Sequence, residues 1–350
     1  MDSHGPERAG SGQGRWFALF SIVVLLSAAG YIAWRAGSPD VDTPSGTSEP
    51  APQPVALDEI RSAPHIYYRS TRRGEYGKLV VAALGAPNDR RFVTDLDCER
   101  LTAGHDRGVC LVDNRMRVQP PAIARLLNHD LTPVHALDLP GYPSRTRLSR
   151  DERYAATTVF VSGESYTGVF TTRTHIIDLE SGVTVAELEQ FATRRAGAVI
   201  SAVDFNFWGV TFTDDHNRFY ATLATAGKTY LVDGDLARRQ FTVLRENVEC
   251  PSLSPDGRRL AFKSRLNDGI NWRLHVLDLA SMTEWAVAGE TRSIDDQVEW
   301  LDNEHVLYQF MNERGLPEDA VNTWISPVAP QAAEAPKIFI HAASSPAVVR

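Results

Sequence analysis

A short segment with the pattern of a β-hairpin recurs along this 350-residue chain. Its clearest copy is LSPDGRRLAF at 253–262, where Asp256-Gly257 lies between two apolar runs. An Asp-Gly pair in that setting is a strong hairpin signal. Related segments are LSRDERYAAT at 148–157, FTDDHNRFYA at 212–221 and WLDNEHVLYQ at 300–309. The turn residues recur at intervals of roughly 40–65 residues, and they are Asp151, Asp215, Asp256 and Asn303.

A second apolar segment follows each hairpin. These segments are THIIDLESG at 174–182, TYLVDGDL at 229–236, RLHVLDLAS at 273–281 and NTWISPV at 322–328. Two earlier units contain PVHALDLPG at 133–141, after a hairpin at 96–112, and IYYRS at 66–70 followed by KLVVAAL at 78–84. Six units of short strands with polar turns predict an all-β fold, a six-bladed β-propeller over residues 57–350. Short helical pieces are expected only near 120–128.

The two ends of a propeller must pair, because open sheet edges leave backbone groups unsatisfied. The first unit has no strand pattern from Asp58 to Pro64, whereas SPAVV at 345–349 resembles CPSLS at 250–254. This C-terminal segment follows KIFI at 337–340, a predicted outer strand of the sixth blade. We therefore predict that residues 345–349 form the innermost strand of the first blade, beside residues 65–70.

The best-preserved unit resembles a known family. LSPDGRRLAF followed by WRLHVLDL is similar to the repeat of TolB-type six-bladed propellers. The likeness covers residues 64–350 as an architecture, but it is close only over 253–281. TolB proteins are periplasmic and carry an α/β domain before the propeller. A different segment occupies that place here, so the resemblance implies an envelope protein without implying the translocation role of TolB.

The N-terminal part differs from the repeats. From Trp16 to Trp34 the sequence WFALFSIVVLLSAAGYIAW has no charged residue and has aromatic residues at both ends. About 20 apolar residues cross a bilayer, with aromatic residues at its interfaces. We predict a cytoplasmic tail at 1–15 and an uncleaved transmembrane helix, a signal-anchor, at 16–35. The alternative is a signal peptide cleaved after Ser27-Ala28-Ala29, which would give a secreted protein.

The segment after this span is rich in proline. Residues 36–56 contain five prolines and few large apolar side chains, a composition that predicts a disordered linker. Arg8 and Arg15 precede the span, whereas Asp40, Asp42 and Glu49 follow it. Because cytoplasmic flanks are rich in basic residues, we expect a cytoplasmic N-terminus and an extracytoplasmic propeller, attached to the cell membrane by a single span.

The three cysteines suggest one disulfide. Cys98 and Cys110 flank a predicted hairpin centred on Gly104, which would place them directly opposite each other. Opposed cysteines in an oxidising compartment form a disulfide. Cys250, beside Pro251, is predicted to be free and buried at the start of a strand.

Three histidines and two acidic pairs are the candidate metal ligands in the sequence. His135, His175 and His275 share the pattern His-x-x-Asp-Leu, but Tyr230, Trp324 and Val80 occupy the same repeat position elsewhere. A position that accepts such different side chains indicates packing, so we predict no metal site and no cofactor. The acidic pairs are predicted to be solvated turns, with weak calcium binding as the alternative, and they are Asp214-Asp215 and Asp295-Asp296.

A cluster of aromatic residues is the one candidate binding site that the sequence offers. Phe205, Phe207 and Trp208 either pack between blades or bind a partner at a mouth of the propeller. GESYTG at 163–168 lacks the spacing of a nucleophile elbow and is predicted to be a loop. The net charge of −8 argues against nucleic-acid binding.

These features predict a non-enzymatic, monomeric binding or scaffold module that recognises an envelope protein, peptide or glycan. The alternative is a hydrolase or lyase with its site at the central channel, because propellers host many functions.

Overall fold

Six sheets surround a central channel in the computed structural model of this protein, and the predicted six-bladed β-propeller is confirmed. The structure describes residues 53–114, 121–163, 165–166, 168–311 and 321–350. The predicted tail at 1–15, the span at 16–35 and linker residues 36–52 lie outside these ranges. No helix within them is both long enough and apolar enough to cross a membrane.

Blade 1 combines both ends of the described chain. Its strands are β1 (Gln53–Pro54), β2 (His65–Ser70), β3 (Lys78–Ala83), β4 (Arg90–Asp97) and β27 (Ala343–Val349), in the sheet order β1-β4-β3-β2-β27. A short helix, α1 (Leu57–Arg61), lies between β1 and β2. The last residues of the predicted linker therefore belong to the propeller, since β1 pairs with β4 in parallel.

Four blades, namely 2, 3, 5 and 6, are four-stranded antiparallel meanders. Blade 2 contains β5 (Arg100–Ala103), β6 (Gly108–Asp113), β7 (Ala122–Leu127) and β8 (Pro133–Leu139). Blade 3 contains β9 (Tyr142–Leu148), β10 (Tyr154–Ser162), β11 (Thr171–Asp178) and β12 (Val183–Glu187), followed by a 3₁₀ turn at Leu188–Gln190. Blade 5 contains β19 (Glu249–Leu253), β20 (Arg259–Arg265), β21 (Trp272–Asp278) and β22 (Glu284–Ala286).

Blades 4 and 6 complete the ring. Blade 4 has an added outer hairpin, β13 (Ala192–Arg195) and β14 (Ala198–Ile200), beside β15 (Asn206–Phe212), β16 (Arg218–Thr225), β17 (Lys228–Asp235) and β18 (Gln240–Glu246). Blade 6 contains β23 (Glu299–Trp300), β24 (His305–Met311), β25 (Val321–Pro327) and β26 (Lys337–Ile340). The inner strands β27, β5, β9, β15, β19 and β23 each contact the inner strands of both neighbouring blades.

The predicted closure of the ring is confirmed. β27 pairs antiparallel with β2, with Val349 opposite His65 and Ala347 opposite Tyr67. β26 is the outer strand of blade 6, as predicted. The C-terminal strand therefore completes the blade that begins the ring.

Two details of the repeat assignment were wrong. PVHALDLPG corresponds to β8, the outer strand of blade 2, and the third strand of that blade is β7. Short helical pieces were expected there, since Ala122–Leu127 is rich in alanine and leucine, which favour helices. The pairing of β7 with both β6 and β8 overrides that local preference.

Apolar packing is organised by blade interfaces. Six clusters each join two neighbouring sheets, and twisted sheets that pack face to face bury their side chains in this way. A seventh cluster contains Phe160, Tyr166, Trp208, Cys250 and Trp272. It lies beside the inner ends of blades 3, 4 and 5, next to the site described below.

The disulfide between Cys98 and Cys110 is present, with the two Cα atoms 5.2 Å apart. Its position differs from the prediction, because Leu101 is the residue opposite Cys110 in the hairpin. Cys98 lies between β4 and β5. The disulfide therefore joins the segment that links blades 1 and 2 to β6, the second strand of blade 2. Cys250 is free and buried, as expected.

The two faces of the ring carry different connections, because successive turns of an antiparallel meander alternate between faces. The turn face carries the connections between first and second strands, including Asp151, Asp215 and Asp256. Their carboxylates accept hydrogen bonds from nearby hydroxyl or amide groups, such as Ser254 Oγ at 2.5 Å from Asp256. The opposite face, called the pocket face, carries the connections between second and third strands.

Candidate functional site

The central channel is nearly closed halfway along its length. Gln297 Nε2 donates to the carbonyls of Val210 at 2.9 Å and Pro251 at 2.8 Å, across the channel wall. Ser345 hydrogen-bonds the backbone of Leu101 at the same level. A void of about 30 Å³ remains there, which is room for a few water molecules at most. The two mouths of the channel are therefore separate cavities.

The cavity at the turn face is small, and two of its arginines are held by partners within the protein. It has a volume of about 290 Å³. Arg147 forms an ion pair with Glu299 and donates to the Val298 carbonyl at 2.9 Å. Arg150 donates to the Ser254 carbonyl and pairs with Asp214. Two further charged residues of the lining hydrogen-bond backbone groups, since Glu152 accepts the amides of residues 105–107 and Arg350 donates to the Leu301 carbonyl at 3.3 Å. The polar groups of this mouth are thus mostly engaged within the protein.

The cavity at the pocket face is larger, at about 880 Å³, and falls within the range of small-molecule and peptide pockets. Blades 2, 3 and 6 and the segment before blade 6 contribute its walls. The lining residues are Arg100, Arg145, Phe160, Ser165, Tyr166, Arg292, Ser293, Asp295, Gln309, Phe310, Met311, Val321, Trp324 and Ile338. It combines cationic groups with aromatic surfaces.

Two arginines lie side by side in this cavity. Arg100 Nε and Arg145 Nη1 both donate to the carbonyl of Ser144, at 2.8 and 3.0 Å. Arg145 is 8% exposed, and its Nη2 lies 3.8 Å from Asp295. Arg100 forms no ion pair with any residue in the described ranges. Burial and the adjacent charge of Arg145 lower the pKa of Arg100 below its usual value.

A buried lysine forms the floor next to these arginines. Lys263 Nζ lies 2.5 Å from Asp295 Oδ1, and the lysine is 1% exposed. Its ammonium lies 4.2 Å from the ring centre of Trp272 and 5.1 Å from that of Tyr166. Burial opposes the charge of Lys263, but the neighbouring Cys250 and Asp295 outweigh it and raise its pKa.

The remaining wall is aromatic. The Arg292 guanidinium lies between Phe310 and Trp324, 4.1 Å from each ring centre, and Glu290 pairs with it at 2.5 Å. Cation–π contacts of this kind fix the planes of both the guanidinium and the rings. On the opposite side Tyr166 donates to or accepts from Ser144 Oγ at 2.5 Å.

The aromatic residues singled out from the sequence lie behind this wall. Phe207 and Trp208 are fully buried, and Phe205 is half-buried. Trp208 packs against Tyr166, with ring centres 5.0 Å apart. Phe207 stacks on Phe241 at 4.7 Å within blade 4. Phe207 and Trp208 thus pack inside the protein, and Tyr166 lines the cavity in front of Trp208.

The three histidines of the His-x-x-Asp-Leu pattern do not occupy the same strand position. His175 and His275 lie on third strands, and His275 Nδ1 lies 2.5 Å from Glu284. His135 is exposed on the outer strand β8, so the prediction that it packs was wrong. Within the described residues, no group of three or more His, Cys, Asp or Glu side chains could hold a metal ion.

The acidic pair Asp295-Asp296 was predicted to be a solvated turn, which was wrong for Asp296, whereas Asp295 is 42% exposed. Asp296 is 8% exposed, and its carboxylate accepts the backbone amides of Gln297 and Gln309, each at 2.9 Å. Burial opposes the charge of Asp295, but Lys263 and Arg145 outweigh it and lower its pKa. Sequence reasoning missed this site because its members come from four blades. One signal was available, namely a lysine inside the apolar strand Arg259–Arg265.

Exposed apolar side chains are frequent on the same face of the ring. Seven of the twelve large apolar residues that are exposed in the described part lie on the pocket face. The other five lie on outer strands or on the turn face. The seven are Tyr76, Val161, Val169, Val203, Leu266, Ile270 and Met311. Apolar residues within otherwise polar connections could have indicated this face from the sequence.

The fold can be compared with known proteins. No family model and no curated protein matches this sequence. TolB from Acinetobacter baumannii has a TM-score of 0.56 at 14% identity, over 83% of this chain and 68% of that chain. A chain from a nidogen/laminin complex has a TM-score of 0.51 at 9% identity, over 81% and 97% of the two chains. At these identities the likeness concerns the fold, and it confirms a TolB-like propeller architecture.

Proposed function

We propose that this TolB-like six-bladed propeller is a non-enzymatic, extracytoplasmic binding module, which engages an envelope protein, peptide or glycan through its pocket face. One observation carries the proposal. The larger cavity and most of the exposed large apolar side chains lie on the same face of the ring. Exposed apolar residues and a cavity on one face are typical of interaction sites.

The composition of the two faces supports this choice. The turn face carries the repeated polar turns, whose Asp side chains are bonded to their own backbone or to nearby hydroxyls. The pocket face carries Val169, Ile270 and Met311 with most of their side-chain surface exposed. A single-span anchor at 16–35 and the disulfide would both suit a protein outside the cytoplasm.

The protonation states of the cavity favour binding over catalysis. The lowered pKa of Asp295 and the raised pKa of Lys263 keep this pair ionised around neutral pH. Burial raises the pKa of Tyr166 and keeps its phenol protonated. General acid–base catalysis needs a group whose pKa is near the working pH. None of these three groups has its pKa moved towards neutral pH.

Site-specific photo-crosslinking of the full-length chain in cells tests the proposal. A photoreactive residue at Val169 or Met311, on the pocket face, should give a discrete adduct with an envelope component. The same residue at Val134 or Val183, which are exposed on outer strands, is the matched control. Adducts of equal yield from all four positions, or none from Val169 and Met311, would contradict it. Hydrolysis of a peptide or glycan that disappears in Lys263→Met would support the enzyme alternative instead.

A further inference from the structure

Counted over the described residues, the pocket-face cavity has one positive charge more than it has negative charges. Its cations are Arg100, Arg145, Lys263 and Arg292, and its carboxylates are Glu290, Asp295 and Asp296, so four minus three leaves one. The charged groups just outside it form pairs, namely Arg69 with Glu99 and Arg265 with Glu249. Among the residues that the structure describes, the cavity is therefore short of one negative charge.

That deficit can be assigned to Arg100. Lys263 is paired with Asp295, and Arg292 is paired with Glu290. The charge of Asp296 partly opposes the lowering of the Arg100 pKa, but Asp296 forms no ion pair with Arg100 and its carboxylate accepts two backbone amides. Arg100 itself donates only its Nε, to the Ser144 carbonyl. The terminal nitrogens of its guanidinium form no hydrogen bond with the described residues.

We propose that the cavity binds a ligand through a single carboxylate that is attached to an apolar or aromatic group, with the carboxylate on Arg100 beside Arg145. Guanidinium groups bind carboxylates through two parallel hydrogen bonds. Phe310 and Trp324 supply surface for the attached group. This inference rests on the proposed function and names the chemistry that its site recognises. A peptide presents that chemistry at an acidic side chain next to an apolar one, or at its C-terminus.

The charge balance favours a carboxylate over a phosphate. A carboxylate carries one negative charge and neutralises the surplus. A phosphate monoester carries close to two at neutral pH, and burying an unpaired charge is costly. The lowered pKa of Arg100 agrees with a cation that lacks a partner. An anion in contact with Arg100 would restore the pKa towards its usual value.

The test is a titration of the purified full-length protein with small probes, followed by ligand-observed NMR. Phenylacetate should bind at least about tenfold more tightly than phenylacetamide, which has the same shape without the charge. A tenfold ratio corresponds to a difference in binding free energy of about 1.4 kcal/mol. Arg100→Gln should abolish that preference. Arg100→Lys, which keeps the charge but loses the planar pair of donors, should retain a reduced preference.

The matched control is Arg194→Gln, an exposed arginine on the added hairpin of blade 4, which should keep the full preference. Equal affinity of the wild type for phenylacetate and phenylacetamide would overturn the inference. Tighter binding of phenyl phosphate would indicate a phosphate site, and tighter binding of galacturonate would indicate an acidic glycan. A preference that persists in folded Arg100→Gln would also refute it.

This experiment is independent of the crosslinking experiment. Adducts from Met311 without a preference for phenylacetate would leave the proposed function standing and remove the carboxylate inference. A preference for phenylacetate without adducts from the pocket face would support the carboxylate site and contradict the proposed function. The cavity would then bind a small anion and no macromolecule.

Discussion

Lys263 is a charged residue in a strand with apolar neighbours. Its ammonium group is surrounded by Tyr166, Trp272 and Asp295. Taking an ammonium out of water is costly, and a carboxylate in direct contact offsets most of that cost. The Asp295 side chain is 42% exposed, so water partly screens the ion pair from the side of the carboxylate but not from the side of the lysine. The burial of this lysine therefore depends on a partner from the segment before blade 6.

Asp295→Asn should lower the free energy of unfolding by about 2–3 kcal/mol at pH 7, because it leaves the buried ammonium without its counter-charge. Urea denaturation of the full-length protein measures the change. The double variant Lys263→Met/Asp295→Asn is the control, and it should be closer to the wild type than the single variant. A single variant as stable as the wild type would show that the pair contributes nothing.

The pH dependence of that difference has a defined sign. The pKa of Asp295 is lowered in the folded state, so its contribution to stability is present above the usual carboxyl pKa and is lost as pH falls through the folded value. The wild type and Asp295→Asn should therefore differ fully at neutral pH and converge below about pH 4. A difference that grows in acid would contradict this assignment.

At the scale of the strands, the inner strands of blades 4 and 5 approach each other closely. Gly209 in β15 has a φ of +64°, and a Cβ there would lie 2.6 Å from Cys250 Cα in β19. The register of β15 with β16 shifts between Trp208 and Thr211, beside this contact. Glycine is required here both by the backbone conformation and by the neighbouring strand.

Gly209→Ala should destabilise the protein by about 2–4 kcal/mol, as the sum of left-handed strain and overpacking. Gly227→Ala is the matched control. Gly227 has a φ of +72°, but no atom lies within 4 Å of its added Cβ, so only the strain applies. Thermal unfolding of both variants should separate the two costs. Equal losses in the two variants would mean that the inner strands move apart freely.

At the scale of the whole molecule, stability depends on closing the ring. Each blade buries apolar side chains against both neighbours, and blade 1 is completed by β27 from the C-terminal end. Blade 6 and blade 1 share the cluster that contains Ile66, Tyr68 and Leu307. Loss of β27 would expose the edge of β2 and open the channel beside it.

Deleting residues 343–350 should lower the melting temperature of the entire propeller, because several backbone hydrogen bonds at about 1 kcal/mol each are lost together with buried Ala347 and Val349. Circular dichroism of the full chain and its truncated form measures this. Removing Arg350 alone, which hydrogen-bonds only the Trp300 and Leu301 carbonyls, should have a much smaller effect. An unchanged melting temperature after the longer deletion would contradict closure by this strand.

The sequence by itself determined the propeller, its closing strand and its disulfide, because each of these follows from local patterns. Turn residues such as Asp256-Gly257, alternating apolar runs and cysteine spacing are properties of a few consecutive residues. The assignment of β7 as partly helical was wrong where local composition conflicted with sheet pairing. Only the tertiary structure decided the candidate site. Arg100, Lys263 and Asp295 belong to different parts of the ring, and their charges and burial depend on groups more than 30 residues away in the chain.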